Sequence, residues 1–213
     1  WVIASFVITI SVPNVQTLNS ERGERRRRAA LEHRRKIETF HSVSLRYVVH
    51  HANADWETTG LQVFQVRKRW WGWWCWFGFL GTPYQARVAK LRLSATSSSG
   101  IRWTEGKGII GKCWRTRSFE CVNLETHFGS TLTEGKFAAL SDANKLGLTF
   151  EDYEHLKNRY GFVAAAPILD DSDRYLGCVS MDMPPVGWSG KQLKVDEVRD
   201  SLISAAHLIR EVL

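Results

Sequence analysis

The chain has 213 residues, enough for one well-buried core but too few for two large domains. With 44% hydrophobic and 24% charged residues, its composition excludes a wholly disordered protein. The formal net charge is +7, and +5 of it belongs to residues 21–36, where eight Lys and Arg stand against three Glu. An electrostatic partner is therefore expected at that segment and not over the whole surface.

The N-terminal residues 1–12 (WVIASFVITISV) carry no charge. They are too few to cross a hydrocarbon core of about 30 Å as a helix, which needs about 20 residues. We expect residues 1–18 to be the end of a longer transmembrane helix, with the Arg-rich flank on the cytoplasmic side of the cell membrane. A buried strand is an alternative. A signal peptide fits poorly, because the basic run follows the apolar stretch instead of preceding it.

The sequence of residues 20–51 predicts one helix, with Ser20 as its N-cap. This helix lies inside a basic linker that spans residues 19–56. An apolar stripe of three-and-four spacing begins only after Lys36, so we expect the helix to dock on a domain from there on. Beside an apolar N-terminus, the cluster favours anionic lipid headgroups over nucleic acid, for which no helix-turn-helix, zinc or RNP pattern is present. The residues expected to contact lipid are Arg25, Arg26, Arg27 and Arg28.

Two strands are predicted next, at residues 60–66 and 87–93, and we expect them to pair antiparallel. In the second, strict alternation sets Arg87, Lys90 and Arg92 against an apolar face.

A tryptophan-rich segment, residues 70–80, lies between these strands and follows a basic triplet. Tryptophan favours the membrane interface. The apolar surface of these aromatic rings is larger than a short hairpin tip could bury within its own fold. A bilayer, a second copy of the chain, or the protein's own helix could cover them, and the sequence leaves these alternatives open. The rings expected to contact lipid are Trp70, Trp71, Trp73 and Trp74.

The rest of the chain alternates short helices and strands. Helices are predicted at 109–116, 150–159 and 196–213, and strands at 119–124, 162–169 and 175–183. Long helical connections do not alternate regularly with strands, so a doubly wound parallel sheet is disfavoured. The predicted fold class is α+β with an antiparallel sheet. Pro167 predicts an edge or a bulge, and Gly177 a bulge or a close backbone approach.

Three segments in this order resemble the GAF family: EGKGIIGKCWRTRSFECVNL at 105–124, YGFVAAAPILDDSDRYLGCVSMDM at 160–183, and the terminal helix at 198–213. The resemblance implies that residues 57–213 form a sheet with helices on both sides and a small-molecule pocket. That pocket would be walled by residues 103–160, and the alternative for each aromatic residue there is plain core packing. The pocket candidates are Trp103, Trp114, Phe119, Phe128, Phe150 and Tyr153.

Catalytic and cofactor motifs are weak. The GxGxxG pattern at residues 106–111 follows a loop instead of a strand and opens only a short helix, so a dinucleotide site is disfavoured. The asparagine, lysine, phenylalanine and acidic residues expected of cyclic-nucleotide-binding GAF domains are wrongly spaced at residues 144–152. No cofactor is predicted.

The cysteines, Cys75, Cys113, Cys121 and Cys178, form no zinc-like or redox spacing, so no metal site is predicted. We expect them to be reduced and dispensable. Some GAF proteins reduce free methionine sulfoxide, but the cysteine wanted before the strand at 162–169 is missing.

The sequence therefore predicts a membrane-proximal, cytosolic sensory or regulatory domain that binds a small ligand and is not an enzyme. The alternative is a degenerate GAF domain that serves as an interaction or homodimerisation platform without a ligand, and a free methionine sulfoxide reductase comes third. An enclosed cavity with convergent polar groups favours the first hypothesis. A pocket filled by Trp114, Phe128 or Phe150 favours the second.

Overall fold

The computed structural model describes residues 57–67, 82–92, 100–129, 132–185, 193–211 and 213, together with part of the segment 23–50. The chain divides into two compact units, Trp1–Thr39 and Phe40–Leu213. All described residues between 23 and 50 are helical, as the sequence predicts. No helix in the described part is long and apolar enough to cross a membrane. Residues 1–12, where a span is expected, and the tryptophan-rich segment 70–80 lie outside the described residues.

The basic helical segment exposes both charged and apolar side chains. Glu24 and Arg28 form an ion pair at 3.5 Å across one helical turn, a spacing that supports a solvated helix. Val43 and Tyr47 belong to the predicted apolar stripe, but they are 55% and 49% exposed. The expectation that the stripe docks on the domain is therefore wrong for these two side chains.

A five-stranded antiparallel sheet forms the centre of the second unit, with the strand order β2-β1-β5-β4-β3. The predicted pairing of the first two strands is confirmed. The strands are β1 (Gly60–Arg67), β2 (Tyr84–Leu91), β3 (Glu120–Asn123), β4 (Phe162–Leu169) and β5 (Tyr175–Met183).

Helices cover this sheet on both sides, which confirms the predicted α+β fold class. They are α1 (Gly108–Thr116), α2 (Leu124–Phe128), α3 (Glu134–Ala138), α4 (Asp142–Lys145), α5 (Phe150–Lys157) and α6 (Val195–Arg210). Helix α5 begins with a capping box, in which the Thr149 hydroxyl and the Asp152 carboxylate each accept the other residue's backbone N–H.

The face of the sheet that carries α6 is largely apolar, with Gln65 of β1 and Asn123 of β3 as its polar residues. Side chains of β1, β4 and β5 alternate between the two faces, and those on this face are almost fully buried. Helix α6 packs on β4 and β5 with one buried stripe, as its spacing predicts. The sheet residues on this face are Leu61, Val63, Ala164, Ala166, Ile168, Val179, Met181 and Met183.

Two sequence signals in the β4–β5 pair have clear structural causes. Strand β3 pairs with β4 only as far as Ala165, so Pro167 lies where β4 has no neighbour on that side and its missing N–H costs nothing. A Cβ at Gly177 would lie 2.0 Å from the Phe64 carbonyl oxygen. The predicted close backbone approach at Gly177 is therefore confirmed.

Arg92 departs from the expected pattern. Alternation sets it with Arg87 and Lys90 on the polar side of β2, yet it lies beyond the end of that strand and forms a buried ion pair with Asp182. A Cβ at Gly60 would come within 2.6 Å of the Arg92 guanidinium, so glycine leaves the space through which this side chain passes.

Candidate functional site

A cavity of about 220 Å³ lies between the second face of the sheet and the helices α1, α2 and α5. Its floor consists of alternate residues from four strands, and most of them are polar. Its roof consists of aliphatic side chains from the helices and the loop before α5. The floor residues are Gln62, Phe64, Gln85, Arg87, Val163, Ser180 and Asp182, and the roof residues include Ile109, Ile110, Leu124, Leu146, Leu148 and Leu156.

A buried ion pair anchors one end of the floor. The side chains of Arg92 and Asp182 are each only 3% exposed, and Arg92 also donates to the Asp182 backbone carbonyl at 3.3 Å. Gln62 Nε2 donates to Asp182 Oδ1 at 2.6 Å. Burial lowers the pKa of Arg92, and the charge of Tyr160 acts in the opposite direction. The Asp182 carboxylate is therefore compensated from within the protein.

Arg87 lies at the exposed rim of the floor, beside this network. Its Nη1 donates to Gln62 Oε1 at 3.2 Å, so the two ends of the Gln62 amide join Arg87 to Asp182. Among the described residues, no carboxylate forms an ion pair with Arg87. Burial, followed by the charges of Arg87 and Arg92, lowers the pKa of Lys90. The rim therefore carries an excess of positive charge.

Gln85 ties the floor to the helical side. Its Nε2 donates to the Ile110 carbonyl at 3.2 Å, and its Oε1 accepts from the Tyr175 hydroxyl at 3.0 Å. Its backbone N–H donates to the Trp103 carbonyl at 2.8 Å. Through its side chain and its backbone, Gln85 thus holds α1, β5 and the loop before α1 in a fixed arrangement.

The start of α1 lies at the cavity without a side-chain cap. The N-cap is Lys107, which makes no side-chain capping bond, and the first turn contains no acidic residue. The first-turn N–H groups of Ile109 and Ile110 have no acceptor within the helix, and both residues line the cavity. The positive end of the helix dipole therefore lies at the cavity wall.

The glycines at 106–111 form a turn and not a dinucleotide loop. Gly106 and Gly108 have φ of 81° and 63°, and the Gly108 N–H donates to the Leu146 carbonyl at 2.7 Å. A Cβ at Gly108 would lie 2.7 Å from the Trp103 ring. These residues fold the chain tightly into α1 and join no strand to a crossover helix.

An ion pair fixes the roof helices to each other. Lys107 Nζ lies 2.8 Å from Asp152 Oδ2, so the residue that precedes α1 contacts the first turn of α5. Burial acts to raise the pKa of Asp152, but hydrogen bonds from Lys107 and Thr149 outweigh it and hold that pKa below its usual value.

The two buried cysteines lie beside the cavity with Tyr175. Burial raises the pKa of Cys178 to about 12 and raises that of Cys113 even further. The half-buried Cys121 thiol also has a raised pKa, through burial and the nearby Glu120. These thiols are protonated at neutral pH, the form that is neither nucleophilic nor metal-binding. Among the described residues, no group of three or more His, Cys, Asp or Glu could hold a metal ion.

The predicted pocket aromatics fall into separate places. Trp103 lines the cavity, whereas Trp114 stacks on Tyr175 with ring centroids 5.6 Å apart. Phe119 lies in a groove beside α6.

The structure brings together the remaining three candidates, Phe128, Phe150 and Tyr153. They form one aromatic cluster around Phe137, and they do not line the cavity described above. This cluster packs against the roof residues Leu124, Leu148 and Leu156.

Sequence reasoning missed the polar floor residues Gln62, Gln85, Arg87, Ser180 and Asp182. The signal that could have found them is the period-two polarity of β5, where Ser180 and Asp182 interrupt an otherwise apolar strand on one face.

Of the residues expected to contact lipid, Arg25, Arg27 and Arg28 are helical and exposed. The others lie outside the described residues: Arg26, Trp70, Trp71, Trp73 and Trp74.

No family model matches the chain, and no curated protein matches it in sequence. Solved structures do resemble it in fold. A GAF domain/HD domain protein from Geobacter sulfurreducens is 15% identical, with a TM-score of 0.47 over 84% of this chain and 93% of that one. The GAF domain of an Acinetobacter phosphoenolpyruvate-protein phosphotransferase is 10% identical, with a TM-score of 0.46 over 86% and 91%. A type II free methionine-R-sulfoxide reductase from Thermoplasma acidophilum is 10% identical, with a TM-score of 0.44 over 83% and 94%. With TM-scores below 0.5, these likenesses by themselves assign neither family nor function to the chain.

Proposed function

We propose that residues 57–213 form a GAF-type sensory or regulatory domain that binds a small ligand in the cavity between the sheet and its roof helices. The observation that carries this proposal is the cavity itself, with a polar floor and an apolar roof. Sites for small molecules combine these features, because apolar walls supply binding free energy while a few polar groups fix orientation.

The roof provides a route from ligand to signal. Helices α1 and α5 both line the cavity and are joined by Lys107 and Asp152. A ligand that contacts both helices favours the arrangement in which they are closest, and such a shift of population is the basis of ligand sensing. The signal passes from the roof helices to other parts of the protein or to a partner.

The domain acts as a binding module and not as an enzyme. A reductase that uses cysteine needs an accessible thiolate, but Cys113 and Cys178 are fully buried and their pKa values are raised. This argument opposes the free methionine sulfoxide reductase hypothesis for Cys113 and Cys178.

A second candidate function is an interaction or homodimerisation platform. The observation that favours it is the pair Val43 and Tyr47, which lie one helical turn apart and are both about half exposed. This candidate does not exclude ligand binding, and a concentration-dependent dimer that Val43→Ser plus Tyr47→Ser abolishes would support it.

The domain lies near the cytoplasmic face of a membrane in this proposal. The exposed Arg25, Arg27 and Arg28 support it, since each cation near an anionic surface contributes about 1 kcal/mol. Flotation of the whole chain with anionic vesicles tests the idea. Binding should weaken when the arginines at 25–28 become Gln, and the part that resists high salt should be lost in Trp73→Ser plus Trp74→Ser. A chain that never floats would contradict it.

Ligand binding is tested by filling the cavity. Ser180→Leu places extra carbon atoms on its floor, while Ser204→Leu adds the same atoms at an exposed position of α6. Amide NMR spectra recorded with a set of small fragments should show shifts confined to cavity residues in the parent chain and in Ser204→Leu. Those shifts should be absent in folded Ser180→Leu. Fragments that shift all three proteins alike would contradict the proposed site.

A further inference from the structure

The charges around the cavity are unbalanced in favour of an anion. Among the described lining residues, Asp182 is the only carboxylate, and Arg92 and Gln62 already satisfy it. Arg87 uses one N–H on the neutral Gln62 amide and pairs with no carboxylate in the described part of the chain. A guanidinium has five N–H donors, so most of its capacity to bind a carboxylate remains.

A second positive feature lies opposite Arg87. The uncapped first turn of α1 brings Ile109 and Ile110 to the cavity at the positive end of the helix dipole. A helix N-terminus alone would not define a site. Here Arg87 on the facing sheet also favours a negatively charged ligand.

The third observation is a buried hydroxyl on the cavity floor. Ser180 lines the cavity and is only 1% exposed. It lies directly across the β1–β5 pairing from Gln62, the residue that Arg87 contacts. A hydroxyl at this position can donate a hydrogen bond to an anionic ligand in the cavity.

The remaining walls indicate the size of the ligand and the polarity of its uncharged part. The roof is aliphatic, and the cavity, at about 220 Å³, is smaller than the roughly 300–1,000 Å³ of sites for drug-sized ligands. Among the described lining residues, Arg87 is the one cation without a carboxylate partner, so the site matches one negative charge. A single negative charge on a short apolar body fits these walls.

We propose that the cavity is a site for a small monocarboxylate, whose carboxylate contacts Arg87 and Ser180 while its apolar body packs under Ile110 and Leu156. This inference rests on the proposed ligand-binding function and specifies its ligand class. It assigns recognition of charge to Arg87 and hydrogen bonding to Ser180.

The test uses hexanoate, its neutral analogue hexanamide, and hexyl phosphate, with calorimetry and NMR on the whole chain. Hexanoate should bind at least roughly tenfold more tightly than hexanamide, since hydrogen bonds to a charged group are stronger than those to a neutral one. Hexyl phosphate should bind more weakly than hexanoate. Arg87→Gln should remove the preference for hexanoate, and Ser180→Ala should weaken hexanoate binding several-fold.

Arg67→Gln is the matched control, because it removes an exposed arginine from the neighbouring strand outside the cavity. It should leave the preference for hexanoate unchanged. Hexanamide bound as tightly as hexanoate, or Arg87→Gln with an intact preference, overturns the inference but leaves ligand binding in place. Tighter binding of hexyl phosphate overturns the monocarboxylate class. Binding of none of the three probes overturns both this inference and the proposed function.

Discussion

The two faces of the sheet are built from the same strands but follow different rules. The α6 face carries mostly apolar residues, such as Val63, Val179 and Met181, which are fully buried, and α6 packs on its strands β4 and β5. On the cavity face, Gln62 and Ser180 are paired neighbours one position away along the same strands. The α6 face is part of the hydrophobic core. The cavity face carries buried polar side chains, which a hydrophobic core seldom contains.

This difference separates stability from binding. Polar groups on the cavity face cost free energy to bury unless they are paired, and most of them are paired with one another. The α6 face gains free energy from each buried side chain, about 1.5–3 kcal/mol for a large one. Changes to the α6 face should therefore affect folding alone, while changes to the cavity face should affect folding, binding or both.

The largest expected effect comes from breaking the buried ion pair. Asp182→Ala leaves the Arg92 guanidinium buried without its carboxylate, and such a loss typically costs about 3–5 kcal/mol. Urea unfolding, followed by circular dichroism, should show this decrease in the free energy of unfolding. The double variant Asp182→Leu plus Arg92→Met should recover much of it, because no unpaired charge remains. A single variant as stable as the parent chain would show that the pair is solvated.

On the α6 face, Leu202→Ala tests the core alone. The side chain is fully buried, and truncation of a buried leucine costs about 2–5 kcal/mol. The free energy of unfolding should fall by that amount, while hexanoate binding to the folded protein stays unchanged. Leu208→Ala, at an exposed position of the same helix, is the control and should change the free energy of unfolding by less than about 0.5 kcal/mol. Altered hexanoate affinity in Leu202→Ala would mean that the two faces are coupled.

The sequence predicts the α6 face better than the cavity face, for a physical reason. Hydrophobic periodicity encodes where a residue points, and this sufficed for both hairpins and for the buried stripe of α6. It does not encode distant partners. Arg92 looks like a solvent-facing residue of β2 until the fold brings it to Asp182, 90 residues away.

Aromatic composition was a poor guide to the cavity. Phe128, Phe150 and Tyr153 are large enough to form pocket walls, yet they pack on one another through edge and tilted ring contacts. Polar residues at alternate positions of a strand are the more useful signal for such a site.

The roof of the cavity should respond to acid while the α6 face does not. Asp152 has a folded-state pKa below its ordinary value, so its stabilising contribution is complete above about pH 4 and is lost as the pH falls through the folded pKa. Asp152→Asn should therefore destabilise the chain by about 1 kcal/mol at pH 7, the usual value for a helix cap. The difference from the parent chain should shrink below pH 4.

Unfolding measured at pH 7, 5 and 3 gives this comparison directly. The control is Asp196→Asn in the first turn of α6, where the carboxylate is exposed and its ion pair with Arg199 is a surface contact. Its effect should be smaller at every pH. The proposed role of the Lys107–Asp152 ion pair would be contradicted if the free energies of unfolding of Asp152→Asn and the parent chain differed by the same amount from pH 7 to pH 3.

The smallest effect is expected at the buried thiols, where chemistry that looks possible should not occur. Burial raises the pKa of Cys178 to about 12, so its thiol stays protonated at pH 8. Burial also keeps the alkylating reagent away from Cys113 and Cys178. Mass spectrometry after iodoacetamide treatment of the folded chain should find neither residue modified, whereas both react in urea. Cys113→Ala should leave hexanoate affinity within about twofold of the parent value. Rapid alkylation of either residue in the native chain would show that the cavity face opens, and it would revive a redox role for this pair of cysteines.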